Sequence, residues 1–182
     1  YIEGGWPGSN PKDMEFFKEI TKIKFKNSEM VGFGSTKKPK IRPAQDANLK
    51  ALLKSGIRTA AIFGKTWDMH VKEVLRVPLE ENLSMISQTI GYLKSKGLQV
   101  FYDAEHFFDG YAHNRDYALE TLRAACKGGC DAIVLCDTNG GMITSELGVI
   151  VRAISSEFHT TLLGIHTHND GGMAVANSIA AV

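Results

Sequence analysis

Leu162-Leu163-Gly164-Ile165-His166-Thr167-His168-Asn169-Asp170-Gly171-Gly172 decides how this chain is read. A short apolar run passes directly into a cluster of imidazole, amide and carboxylate groups and then into two glycines. Histidines at i and i+2 on a strand project to the same side, so both rings can reach one metal ion. Taken alone, an H-x-H serves equally well as a ligand pair or as two satisfied core or turn histidines. The surrounding chain has to decide.

The same arrangement recurs upstream. Runs rich in β-branched and aromatic residues appear at Tyr1-Ile2, Met30 to Phe33, Thr59 to Phe63, Leu98 to Tyr102, Ala132 to Leu135 and Leu162 to Ile165. They lie about 30 residues apart, the length of a βα repeat. Helical patterns are predicted between them, over 13–23, 46–54, 79–96, 115–127 and 145–158, and from Met173 to the end. Asn114 is suited to cap the fourth helix, and Gly128 to close it in a left-handed conformation. Gly56 and Gly97 can close the second and third, and Pro78 suits a first helical turn.

A strict β-then-α alternation predicts parallel strands joined by helical crossovers and covered on both faces, so their runs are continuously apolar instead of alternating. Two architectures satisfy this, an open doubly wound sheet and a closed (β/α)8 barrel. The polar residues separate them. Nearly every run ends in residues able to do chemistry: Glu3, Ser35-Thr36, Lys65 to His70, Asp103 to His106, Asp137 to Asn139 and His166 to Asp170. A barrel gathers all strand C-termini at one mouth, whereas an open sheet leaves many apart, and no G-x-G-x-x-G follows a strand. The expected fold is α/β, a partial (β/α)8 TIM barrel forming one domain over residues 1–182.

Composition excludes several classes. The 182 residues are 43% hydrophobic and 23% charged, enough for one core, and 21 basic side chains balance 20 acidic ones. That balance gives no ground for a nucleic-acid or membrane partner, and the basic runs Lys18 to Lys26 and Lys37 to Lys40 read as solvated surface. No apolar stretch has membrane-spanning length and no signal peptide opens the chain, so a cytoplasmic protein is expected. Cys126, Cys130 and Cys136 contain no C-x-x-C and read as reduced core residues. Both termini fall inside element-like runs, which predicts a segment of a longer enzyme.

A metal held by His166 and His168 needs oxygen ligands, and Asp103, Glu105, Asp137 and Glu3 are the available carboxylates. Asn169 and Asp170 are expected to hold the imidazole tautomers from behind. Asp137-Thr138-Asn139-Gly140-Gly141 offers a hydroxyl and turned-in amides for a carboxylate or phosphate. Opposite an H-x-H metal, that combination suits a 2-oxo acid. His70, beside Trp67 and Met69, can line a pocket or simply pack, and Phe107-Phe108 read as exposed loop residues that close over a ligand.

Together these residues resemble the metal-dependent Claisen-type acyltransferase and lyase barrels, which include 2-isopropylmalate synthase, homocitrate synthase, citramalate synthase and HMG-CoA lyase. Asp137-Thr138 and His166 to Asp170 carry the superfamily likeness; Ile2 to Asp13, Phe63 to His70 and Asp103 to Gly110 look most like the citramalate synthase branch. The resemblance implies a divalent metal (Zn, Mn, Co or Mg) on His166 and His168, with Thr138 on the carboxylate of the 2-oxo acid. It implies catalytic roles for Glu105 and Glu3, with His70 and Asp103 lining the oxo acid pocket. By the same likeness the six strands are the second to seventh of eight. An Arg-Asp pair and an asparagine ligand then lie outside the chain, together with a C-terminal regulatory region, and the full-length protein is expected to be a homodimer. The implied reaction condenses acetyl-CoA with a 2-oxo acid, pyruvate above all. An HMG-CoA lyase-type cleavage and a non-catalytic barrel subunit are the alternatives.

Overall fold

The apolar runs become strands, and each helix between them is fixed at its ends by the side chains that flank it. In the computed structural model, which describes residues 1–182, the elements are β1 (Ile2–Glu3), α1 (Pro11–Ile20), β2 (Met30–Ser35), α2 (Ala47–Lys54), β3 (Thr59–Lys65), α3 (Asp68–His70), α4 (Leu79–Ser95), β4 (Gln99–Glu105), α5 (Phe107–His113), α6 (Arg115–Gly128), β5 (Ala132–Asp137), α7 (Thr144–Glu157), β6 (Leu162–Thr167) and α8 (Ala174–Ala181). Asn10 caps α1 by accepting from the Asp13 amide, Asp46 caps α2 through the Asn48 and Leu49 amides, and Asn114 caps α6 through that of Tyr117.

All strands are parallel and hydrogen-bonded in chain order, β1-β2-β3-β4-β5-β6. A doubly wound sheet reverses its order at a switch point; an unbroken sequential order is that of a barrel wall. The fold is therefore the expected partial TIM barrel, a six-stranded half-barrel with its helices outside. Alternate strand residues build the core against those helices. Ala60, Ile62, Val100, Tyr102, Ala104, Ile133 and Leu135 share one buried cluster with Leu49, Ile86, Ile90, Leu122 and Leu147. The intervening residues face the interior, where Phe33 stacks on Phe63 at 5.4 Å and Trp6 meets both rings edge-on. This aromatic cluster stands beside the polar strand ends, with Phe63 level with Asp103.

Several expectations need correction. Gly128 is not the left-handed residue closing α6. Gly129 is, at φ +84°, with its amide on the Cys126 carbonyl and the Cys130 amide on that of Ala125. Gly128 instead lets α6 approach α4, since a Cβ there would lie 2.9 Å from the Ser87 carbonyl oxygen. Pro78 precedes α4 as its cap rather than entering its first turn. Phe107 and Phe108 do not close over a ligand: they open the unforeseen α5 and are 0% and 1% exposed in the helix-side core. His106, at φ 55°, turns the chain out of β4 so abruptly that the two rings point backwards into the wall. The strands also run further than their apolar runs, taking Lys65, Glu105, Asp137 and Thr167 into the ladder. No helix is long and apolar enough to cross a membrane.

Candidate functional site

Parallel register brings the strand ends together on one rim. Lys65 pairs with Glu105, Phe63 with Asp103, and Cys136 with His166. The strand alternation that sends Tyr102 and Leu135 outward sends Asp103, Glu105 and Cys136 inward. Glu3 ends β1 and lies close enough to Asp103 to act on its charge. Of the residues singled out in the sequence, this rim gathers Glu3, Asp103, Glu105, Thr138, His166 and His168, while His70 ends the short α3 that follows β3.

Glu105, Thr138 and His106 have physical holders. Lys65 Nζ stands 2.5 Å from Glu105 Oε2, an ion pair whose angle lies outside hydrogen-bond geometry. Thr66 donates its hydroxyl to the Glu105 carbonyl at 2.5 Å and its amide to the same oxygen at 3.3 Å, tying the ends of β3 and β4. Thr138 Oγ1 accepts the His106 backbone N–H at 2.8 Å, which steadies that residue's left-handed backbone. His106 Nδ1 meets Asp109 Oδ2 at 3.0 Å. The His70 and His106 rings meet edge-to-face at 4.6 Å, and His70 packs on Trp67 at 4.8 Å.

Electrostatics distinguish the groups. Burial, with Glu3 beside it, raises the Asp103 carboxyl to about 7. Glu3 is open on the edge of the sheet, yet the protein around it still raises its carboxyl by desolvation. Burial lowers His70, helped by His106 and Lys65 and opposed by Glu105 and Asp109; its Nδ1 is enclosed without a hydrogen-bond partner. His166 is lowered by desolvation and by His168.

His166 and His168 stand with ring centroids 4.9 Å apart, and neither ring is hydrogen-bonded to the chain. Two unengaged imidazoles beside carboxylates fit a divalent cation. The expected outer supports do other work. Asn169 accepts the Ala174 amide and caps α8 instead of holding an imidazole. Asp137 accepts the Gly141 and Met142 amides at 3.3 and 3.2 Å, and its carbonyl accepts those of Gly140 and His168. Asp137 is thereby a loop brace, and the amides expected to cradle an anion are consumed. Cys136 was read as core, but its thiol, the Asp103 carboxylate and the His166 ring place their donor atoms within 4.8 Å of one another. Parity counted from Asp137 as a ligand would have turned Cys136 outward; its inward side follows only from the register that sets it opposite His166. A partly open cavity of about 330 Å³, lined by Ile23, Phe25 and Ile57 among others, lies at the opposite strand ends and shares nothing with the site.

A parallel half-barrel whose rim carries an inward H-x-H defines a metal-dependent barrel class. The HMGL-like family matches residues 1–182, and this chain belongs to that family. Over all 182 residues it is 56% identical to the (R)-citramalate synthase of Geobacter sulfurreducens, of which it covers 34%, and 50% identical to that of Aquifex aeolicus, again covering 34%. The chain thus spans about a third of the length of the curated relatives it matches. Among solved structures, the HMG-CoA lyase of Bacillus subtilis superposes with a TM-score of 0.76 at 18% identity, over 92% of this chain and 54% of that one. That likeness is one of fold.

Proposed function

We propose that residues 1–182 form the second to seventh βα units of the catalytic domain of a citramalate synthase, condensing acetyl-CoA with pyruvate. The observation that carries this reading is the 56% identity to a curated (R)-citramalate synthase along the entire chain, with the imidazole and carboxylate groups gathered on one rim. His166 and His168 hold a divalent ion (Zn, Mn, Co or Mg), with further ligands from the rest of the full-length protein. Such an ion supplies Lewis-acid polarisation of the 2-oxo acid's carbonyl.

The chain's own residues bind and orient the substrates. The Thr138 oxygen already accepts from His106, which leaves its O–H to donate to the pyruvate carboxylate. Asp103 and the His70 imidazole line the oxo acid pocket, with His70 kept below its ordinary pKa by burial. Glu105 takes part in removing the methyl proton of the acetyl thioester, oriented by Lys65 at 2.5 Å. Glu3 stands across from it at the edge of the site. The resulting enolate carbon then attacks the pyruvate carbonyl, the alkoxide so formed takes up a proton, and water cleaves the thioester to release CoA as its thiol. In the full-length protein this domain works as a homodimer in the cytoplasm with small-molecule substrates alone.

The full-length protein, given acetyl-CoA and a panel of pyruvate, 2-oxoisovalerate and 2-oxoglutarate, should release free CoA thiol fastest with pyruvate and lose this on chelation. Release with no oxo acid overturns the synthase reading. Cleavage of a 3-hydroxy-3-methylacyl-CoA instead would assign a lyase. Glu105→Gln should lower kcat by about 10²- to 10⁴-fold, the range of general acid–base contributions.

A further inference from the structure

We infer that Asp103, Cys136 and His166 form a second cation position, suited to a thiophilic divalent ion such as zinc, set one step deeper in the half-barrel than the His166–His168 pair and sharing His166 with it. The three come from adjacent strands β4, β5 and β6, and their donor atoms lie within 4.8 Å of one another. Asp103 and Cys136 are buried, and His166 is exposed on the open side. Cys136 stands opposite His166 in the ladder, while Asp103 pairs two residues lower, with Val134. His168 is two residues nearer the rim. The deeper position thus has its own sulfur and oxygen donors.

What the three groups lack is a positive partner. No hydrogen bond from the chain reaches the Asp103 carboxyl, and the charge that acts on it is that of another carboxyl, Glu3. The Cys136 thiol has only the Val134 carbonyl, at 3.6 Å, and the His166 ring has none. The nearby ammonium, Lys65, is taken by Glu105 at 2.5 Å. Three Lewis bases that converge from adjacent strands with no donor from the chain between them are an arrangement a cation resolves. A set of one sulfur, one nitrogen and one oxygen matches zinc, cobalt or cadmium and is poor for magnesium; three protein ligands leave a fourth position open. On binding, the thiol is deprotonated by the ion itself.

Because one imidazole serves both positions, an ion at the deeper one draws His166 away from His168. Excess zinc is therefore inhibitory. Only this inhibition rests on the proposed synthase role; binding at the deeper position does not.

The test uses the full-length protein, reduced and stripped of metal, titrated with Cd²⁺ and Co²⁺ while the thiolate-to-metal charge-transfer absorption is followed. A Cys126→Ala/Cys130→Ala double variant removes the other two thiols of this chain. The band should appear in the wild type and the double variant and vanish in Cys136→Ala. Cys136→Ser should bind Cd²⁺ at least about tenfold more weakly, since losing a ligand costs no less than losing an outer-shell partner. If Cys136→Ala does not fold, X-ray absorption of the double variant, loaded beyond the first equivalent of cobalt, decides without it. A sulfur neighbour supports the site, and a purely nitrogen and oxygen shell overturns it. No band in the wild type, or an undiminished band in Cys136→Ala, also overturns it. In the activity assay, inhibition of Cys136→Ala should need about tenfold more zinc; if the protein releases no CoA thiol at all, the spectral result still stands.

Discussion

Asp68 shows how much one side chain outside the chemistry does for it. Its carboxylate is 3% exposed and accepts from Lys72 Nζ at 2.7 Å and His113 Nδ1 at 2.9 Å, with Asn114 at 3.5 Å. Burial alone would raise this carboxyl, but those three partners outweigh it and hold it at about 2. A depressed carboxyl contributes stability above its unfolded value, near 3.8, and loses it as pH falls through about 2. The urea midpoint of the wild type should therefore fall more steeply over that window than that of Asp68→Asn, and the two curves should converge below it; parallel curves would refute the assignment. At neutral pH, Asp68→Ala should cost about 1–3 kcal/mol, the usual loss when buried charged hydrogen bonds are broken. In the full-length protein His168→Ala should lower divalent metal affinity by more than about tenfold, read by equilibrium dialysis. At this scale the placement of His166, His168, Thr138 and Glu105 on one rim was legible because a polar group ending an apolar run stands out. Cys136 was not, since a thiol inside such a run looks like core. Asp137 and Asn169 were misread because their partners are backbone amides, which side-chain chemistry alone does not reveal.

Between elements, the decisive contact is that of α5 with the turn after β3. Gly110 sits so close that a Cβ would come 2.6 Å from the Thr66 carbonyl oxygen, and Thr66 in turn holds the end of β4. Gly110→Ala must push α5 off that turn, shifting His106 and His70 together. A cost of about 1–3 kcal/mol is expected from overpacking, checked by the denaturant midpoint, and a neutral result would mean that the turn yields freely. Asn114→Ala should cost about 1 kcal/mol through the lost α6 cap. The longer helices were readable from periodicity and capping residues. α5 was not, because seven residues beginning in two phenylalanines give too short a period, and their burial depends on the left-handed His106.

For the whole molecule, the sequential order β1 to β6 puts every β-to-α connection at one end, and this was legible because chemistry recurred at each strand end. Coupling between that end and global stability follows from linkage: a divalent ion at 100 times its Kd should stabilise the full-length protein by about 2.7 kcal/mol. His168→Ala should abolish most of that increment in a chemical-denaturation experiment, and an unchanged increment would place the ion elsewhere. The same order has a practical side at the other end of the strands. The turn at Lys96-Gly97 is exposed, Gly97 adopts φ +84°, and nothing lies within 4 Å of where its Cβ would be. A fluorophore or surface tether attached there stands a full strand length from Glu105 and Thr138. It offers a handle for immobilising or imaging the protein while its working rim stays free.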